Sequence, residues 1–172
     1  MRVIDNGHTI QVNYAPGSRI TVGSDTYELV QFHFHRPSEE RIEGKAYAMV
    51  AHLVHRSVAG KLAVVGVLLE SGAPNPLLET LWRHLPPAKE LESARKDVTI
   101  DASHLLPADR GYYTFPGSLT TPPCTENVRW LVLKQPVRVS AEQIATFAQR
   151  YPNNARPVQP LNARVVQETL AP

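Results

Sequence analysis

Gln31-Phe32-His33-Phe34-His35 sets two histidines two residues apart, and a third, His52, follows in Ala48-Met49-Val50-Ala51-His52-Leu53-Val54-His55. In an extended strand, successive side chains point to opposite faces, so His33 and His35 project to one side and Phe32 and Phe34 to the other. If the run carrying His52 pairs antiparallel with the first, three imidazoles converge on one sheet face. Three neutral histidines with an open fourth position form the ligand set of a catalytic zinc that activates water. A lone histidine on a strand is more often a core or surface residue. His-x-His and a third histidine on the next run shift that balance, because an unpartnered buried polar group costs about 1–3 kcal/mol.

The elements that must hold these rings are mostly strands. Runs rich in Val, Tyr, Phe and Thr cover Thr9–Asn13, Ser24–His35, Ala46–His55, Leu62–Glu70 and Val128–Val139, with the chain opening directly into a further strand. Asp5-Asn6-Gly7 is a turn signal, and the polar stretch Arg36 to Lys45 can turn the chain back. The runs lie too close together for strand–helix–strand units. The expected fold is therefore mostly β (α+β), a largely antiparallel twisted sheet with short peripheral helices. One helix is expected from about Pro76 to His84, with Leu77, Leu78, Leu81 and Trp82 on one face. A second should start at Ser140, where Ser140 and Gln143 match a capping box ahead of Ile144 and Phe147.

Composition narrows the function classes. A chain of 172 residues with 42% hydrophobic and 20% charged residues suits one globular domain over 1–172. Net charge is +2 with the basic residues scattered, so no nucleic-acid partner is expected. No apolar run approaches the roughly 18 residues needed to span a membrane, and no membrane partner is expected. Fifteen prolines favour a loop-rich architecture over a helical bundle. Cys124 is the single cysteine, which excludes an intrachain disulfide and by itself suggests a reducing compartment.

Gln-Phe-His-Phe-His, then Ser38-Glu39, His52-Leu53-Val54-His55 and Gly117-Ser118-Leu119-Thr120-Thr121-Pro122-Pro123-Cys124 together resemble the α-class carbonic anhydrases, particularly bacterial ones. The likeness continues through Trp130, Tyr151-Pro152-Asn153-Asn154-Ala155-Arg156-Pro157 and Gln159-Pro160-Leu161-Asn162. It implies that His33, His35 and His52 bind Zn2+, with water or hydroxide in the fourth position. It implies an enzyme that reversibly hydrates carbon dioxide to bicarbonate and a proton by attack of zinc-bound hydroxide. Thr120 would accept the hydroxide's hydrogen bond and donate its own proton to Glu39, a carboxylate that can only accept. Val54, Val64, Leu119, Val128 and Trp130 match an apolar wall for carbon dioxide, with Thr120 and Thr121 beside the substrate. Asn6-Gly7-His8, with Gln11 nearby, resembles the proton-shuttle segment, and an imidazole with a pKa of about 6.5 can relay protons both ways. Gln31 and a backbone carbonyl near Asn154 are placed to accept from the outer ring nitrogens of His33 and His35. His55, His84 and His104 match no functional position and are expected at the surface or its boundary.

The sequence departs from that pattern in two places. Many members carry a glutamate two residues before the third ligand, serving its outer nitrogen. Val50 stands there and cannot accept a hydrogen bond, so weaker zinc retention or a modestly different pKa of the bound water is expected, on the scale of the roughly 10–100-fold typical of such losses. The family's usual N-terminal segment, which in bacterial and extracellular members carries the disulfide partner of the cysteine after Thr-Thr-Pro-Pro, has no counterpart ahead of Met1. The chain is therefore expected to be a fragment, a product of a misplaced start or a shortened natural form, with Cys124 as a free buried thiol. The resemblance points to a periplasmic or secreted protein, although the N-terminus lacks the apolar core of an export signal. The competing expectation is an inactive or binding-only homologue impaired by truncation. Retention of all three zinc histidines argues against it.

Overall fold

The structure, a computed structural model, describes residues 1–169. In chain order its elements begin with β1 (Arg2–Asp5), β2 (Ile10–Asn13), β3 (Arg19–Val22) and β4 (Asp25–His35). The small hairpin β5 (Arg41–Ile42) and β6 (Lys45–Ala46) leads into β7 (Met49–Arg56) and β8 (Leu62–Ser71). Then come α1 (Pro76–Trp82), β9 (Leu91–Ala94), β10 (Tyr112–Ser118), β11 (Glu126–Leu133), β12 (Val137–Val139), α2 (Ala141–Ala148) and β13 (Gln167–Glu168). Eleven strands form one sheet, ordered β13-β10-β11-β8-β7-β4-β2-β1-β9, with β12 beside β8 and β3 beside β4. Every pairing in it is antiparallel except β11 with β8 and β12 with β8. The fold is thus the expected largely antiparallel sheet, with a parallel seam that short-range spacing does not announce.

The two faces of this sheet differ in chemistry. On one face Met49, Ala51 and Leu53 of β7, Ala63, Val65, Val67 and Leu69 of β8 and Leu131 and Leu133 of β11 form the main core. The helices seal that face with Leu77, Leu78, Leu81 and Phe147. On the other face Val50 and Val54, Val64 and Leu68, and Val128, Trp130 and Val132 form a second, smaller apolar cluster. The period of two assigns every one of these residues to its side.

Strand β4 keeps the period only by breaking it once. Tyr27 and Leu29 face the main core, and so do Phe32 and Phe34, although the two pairs have opposite parity. The pairing of β4 with β7 shifts between Leu29 and Gln31, leaving Val30 as an extra residue. This bulge switches the alternation, so Gln31, His33 and His35 emerge on the face of the smaller cluster.

Both helices begin where expected. Asn75 caps α1 through its side-chain oxygen, which accepts from Leu77 and Leu78 N–H. Ser140 and Gln143 form the capping box of α2. Gln143 also ties the helices together: it accepts from Asn75 N–H at 2.9 Å and donates to the Asn75 carbonyl at 2.8 Å. The run expected over Val128–Val139 divides into β11 and β12 around Lys134-Gln135-Pro136. That over Ala46–His55 likewise separates into β6 and β7. No helix among the described residues is long and apolar enough to cross a membrane.

Candidate active site

In the register of β4 with β7, His33 stands directly opposite His52, with His35 one step further along the same face. The three rings lie 4.8 to 5.4 Å apart, centroid to centroid. One nitrogen from each falls within 4.8 Å of the others, a spacing that could hold a metal ion.

Each ring has one nitrogen already engaged. Gln31 Oε1 lies 2.9 Å from His33 Nδ1. His35 Nδ1 lies 3.2 Å from the Asn154 carbonyl and 3.2 Å from Glu39 Oε1. Both groups only accept, so His35 carries its proton on Nδ1, and Nε2 is left as a buried lone pair with no partner. His52 Nε2 lies 2.8 Å from Glu40 Oε1, and its Nδ1 lies 3.9 Å from Glu39 Oε2. The sequence-based expectation that Val50 would leave His52 without an acceptor is therefore corrected. Glu40 reaches in from the Ser38–Glu40 turn, while Val50 packs into the smaller apolar cluster.

Burial, reinforced by the neighbouring rings, holds His33 well below the ordinary histidine range and His35 down at about 3, so both are neutral at pH 7. Burial pushes His52 down as well, but the carboxylates of Glu40 and Glu39 outweigh it and the net shift is upward. Burial raises the Glu39 carboxyl, against the pull of His52, the Arg156 N–H and the Thr120 side chain. The Arg156 N–H donates to Glu39 Oε1 at 2.6 Å. Sequence patterns single out neither Glu40 nor the Arg156 main chain as a partner of the site. A second acid beside Glu39, next to a ligand strand with Val at 50, was the one available signal for Glu40. A main-chain donor 117 residues away leaves none.

Val54, Val64, Val128 and Trp130 are buried together, and Leu119 packs against them. Trp130 stands edge-on to His52 at 4.8 Å, joining this apolar surface to the histidines. Gly117 makes that placement possible, because a Cβ there would meet the Trp130 ring at 2.6 Å. Thr120 lines two openings, a cavity of about 440 Å³ shared with Glu39, Glu40 and Trp130 and one of about 520 Å³ shared with His8, His35 and Thr121. His8 is exposed at the rim, its carbonyl held by the Asn154 side chain at 2.9 Å. His55 is not a boundary residue as expected. It lies on the core face opposite Leu29, 3% exposed, bonded through Nδ1 to the Leu53 carbonyl. Cys124 is half-buried rather than buried.

The geometry agrees with comparisons to known proteins. The family model described as eukaryotic-type carbonic anhydrase matches residues 1–170. A carbonic anhydrase from Nostoc sp. is 51% identical over 99% of the chain, which spans 64% of that relative's length. One from Pectobacterium carotovorum is 47% identical over 96% of the chain, which spans 68% of that relative. The solved α-carbonic anhydrase of Thermovibrio ammonificans in complex with the inhibitor sulfanilamide superposes with a TM-score of 0.93 at 45% identity, over 96% of this chain and 74% of that one. With the family model matched over residues 1–170 and close structural agreement over nearly the whole chain, the chain belongs to the α-class, or eukaryotic-type, carbonic anhydrase family.

Proposed function

We propose that this protein is a zinc lyase interconverting carbon dioxide and water with bicarbonate and a proton. The observation that carries the reading is the set of three histidines, each with one nitrogen on an acceptor and with one nitrogen of each ring within 4.8 Å of the others. A buried, unpartnered lone pair on His35 Nε2 suits a metal cation and little else. Zinc held there supplies a Lewis acid that makes water acidic near neutral pH. The chain's own residues supply the rest. The wall of Val54, Val64, Leu119, Val128 and Trp130 gives a dry surface for a substrate without net dipole. Glu39, an acceptor-only carboxylate, accepts a hydrogen bond from the Thr120 hydroxyl, which would leave the Thr120 oxygen to accept from the attacking nucleophile and so fix its orientation. His8 carries the released proton from the rim to solvent. A periplasmic or extracellular location rests on family likeness and is tested by fractionating cells that express the gene.

Zinc content and stopped-flow carbon dioxide hydration test the activity. The purified chain should hold one zinc, hydrate carbon dioxide and be inhibited by sulfanilamide, the inhibitor carried by the Thermovibrio relative. Thr120→Ala should retain zinc and lose roughly 100-fold in rate through lost orientation. A folded, zinc-loaded protein that does not hydrate carbon dioxide defeats the reading. No observation favours a binding-only role.

A further inference from the structure

Two of the three rings are held from predictable places, His33 by Gln31 on its own strand and His35 by the main chain at Asn154. His52 is held from elsewhere. Residue 50, two before it on the same face, is aliphatic and wholly buried in the apolar cluster. The contact comes instead from Glu40, whose Oε1 lies 2.8 Å from Nε2 and whose side chain is only 12% exposed. The turn that carries it is pinned on both sides. Ser38 Oγ donates to the Glu40 carbonyl at 2.7 Å and accepts from Tyr47 N–H at 2.9 Å, and Ser38 N–H donates to the Tyr47 carbonyl. Gly66, opposite His52 in the register, borders the carboxylate: a Cβ there would come to 3.8 Å from Glu40 Oε1, an ordinary contact. The second oxygen, Oε2, is buried without a partner, an arrangement that folding stability alone does not favour.

We infer that Glu40 is the positioning residue of the third imidazole, holding Nε2–H so that Nδ1 is presented to the metal, with the carboxylate supplied from the Ser38–Glu40 turn rather than from strand position 50. The inference rests on the zinc reading above. It explains how Val50 can pack into the smaller apolar cluster without leaving His52 unsupported. An outer partner of this kind fixes ring tautomer and orientation and raises ligand basicity.

The test measures zinc affinity by chelator competition and the imidazole N–H signals of the zinc-loaded protein by NMR, for the wild type, Glu40→Ala and Glu40→Gln. The isosteric Gln variant keeps the test open if Ala fails to fold. The expected result is a 10–100-fold loss of affinity in Glu40→Ala and a smaller one in Glu40→Gln, with the His52 ring N–H signal alone displaced. Affinity within threefold of wild type, or a loss with the His52 signal unmoved, overturns the inference while leaving the enzyme reading intact. A wild-type chain that binds no zinc overturns both.

Discussion

Val50 and His55 show how far a residue's face and surroundings outweigh its type. Because Glu40 already engages His52 Nε2 at 2.8 Å, a second carboxylate at position 50 would be buried beside the first without a donor of its own. Val50→Glu should therefore leave zinc affinity, measured by chelator competition, no better than wild type and lower the stability of the fold by about 2–4 kcal/mol. A tenfold gain in affinity would show that Glu40 does not serve His52. His55, buried on the core face, is held by burial at about 4. Its folded value lies below the unfolded value of about 6.5, so the unfolded chain binds the proton more readily. Stability contributed by neutral His55 is complete above pH 6.5 and lost as pH falls from there toward 4. Across that window the loss is about 3 kcal/mol. Urea unfolding of metal-free His55→Asn at several pH values should show an acid limb flatter by that amount, and an unchanged slope would contradict it.

The bulge at Val30 and the strand β7 act together as the positioning elements. Strand β4 must bury Tyr27 and Leu29 on the core face and still direct His33 and His35 to the opposite one, and only an extra residue between the pairs allows both. Deleting Val30 forces a choice, since a one-residue slip moves every later side chain to the other face. The deletion variant should either unfold or lose zinc entirely, as circular dichroism and metal analysis would report. A folded variant binding zinc with wild-type affinity would mean that the bulge does not aim the histidines. Gly117 serves β10 in a comparable way, admitting the Trp130 ring where any side chain would collide.

Across the whole molecule, the segment that follows β1 and the segment that follows α2 meet beside the site. Asp5, fully buried at the end of β1, accepts from the Tyr151 hydroxyl, from Arg150 Nη1 at 2.8 Å and from Gly7 N–H at 3.3 Å. The segment it anchors continues to Asn154, whose side chain holds the His8 carbonyl and the Phe34 carbonyl and whose own carbonyl faces His35. Asp5→Asn turns an amide N–H toward groups that donate, and should cost about 3 kcal/mol in chemical unfolding. Because His8 and His35 are steadied by the same junction, the variant's zinc affinity should fall as well. A stability within about 0.5 kcal/mol of wild type would show the junction to be incidental.

Much of this protein could be read from its residues in order. The spacing of His33, His35 and His52, the alternation of the strands and the Ser140–Gln143 capping box are local patterns, and their faces follow from the period of the backbone. Family motifs added Glu39, Thr120 and the apolar wall. Other features belong to the tertiary structure alone. The parallel seam of β8 with β11 and the Arg156 N–H on Glu39 join segments whose separation along the chain carries no signal, while the bulge at Val30 and the reach of Glu40 to His52 are decided by how β4, β7 and the Ser38–Glu40 turn pack. An acceptor within hydrogen-bond distance can come from any element that passes nearby. The sequence determined which rings could hold the metal, and the packing of distant segments decided what holds the rings.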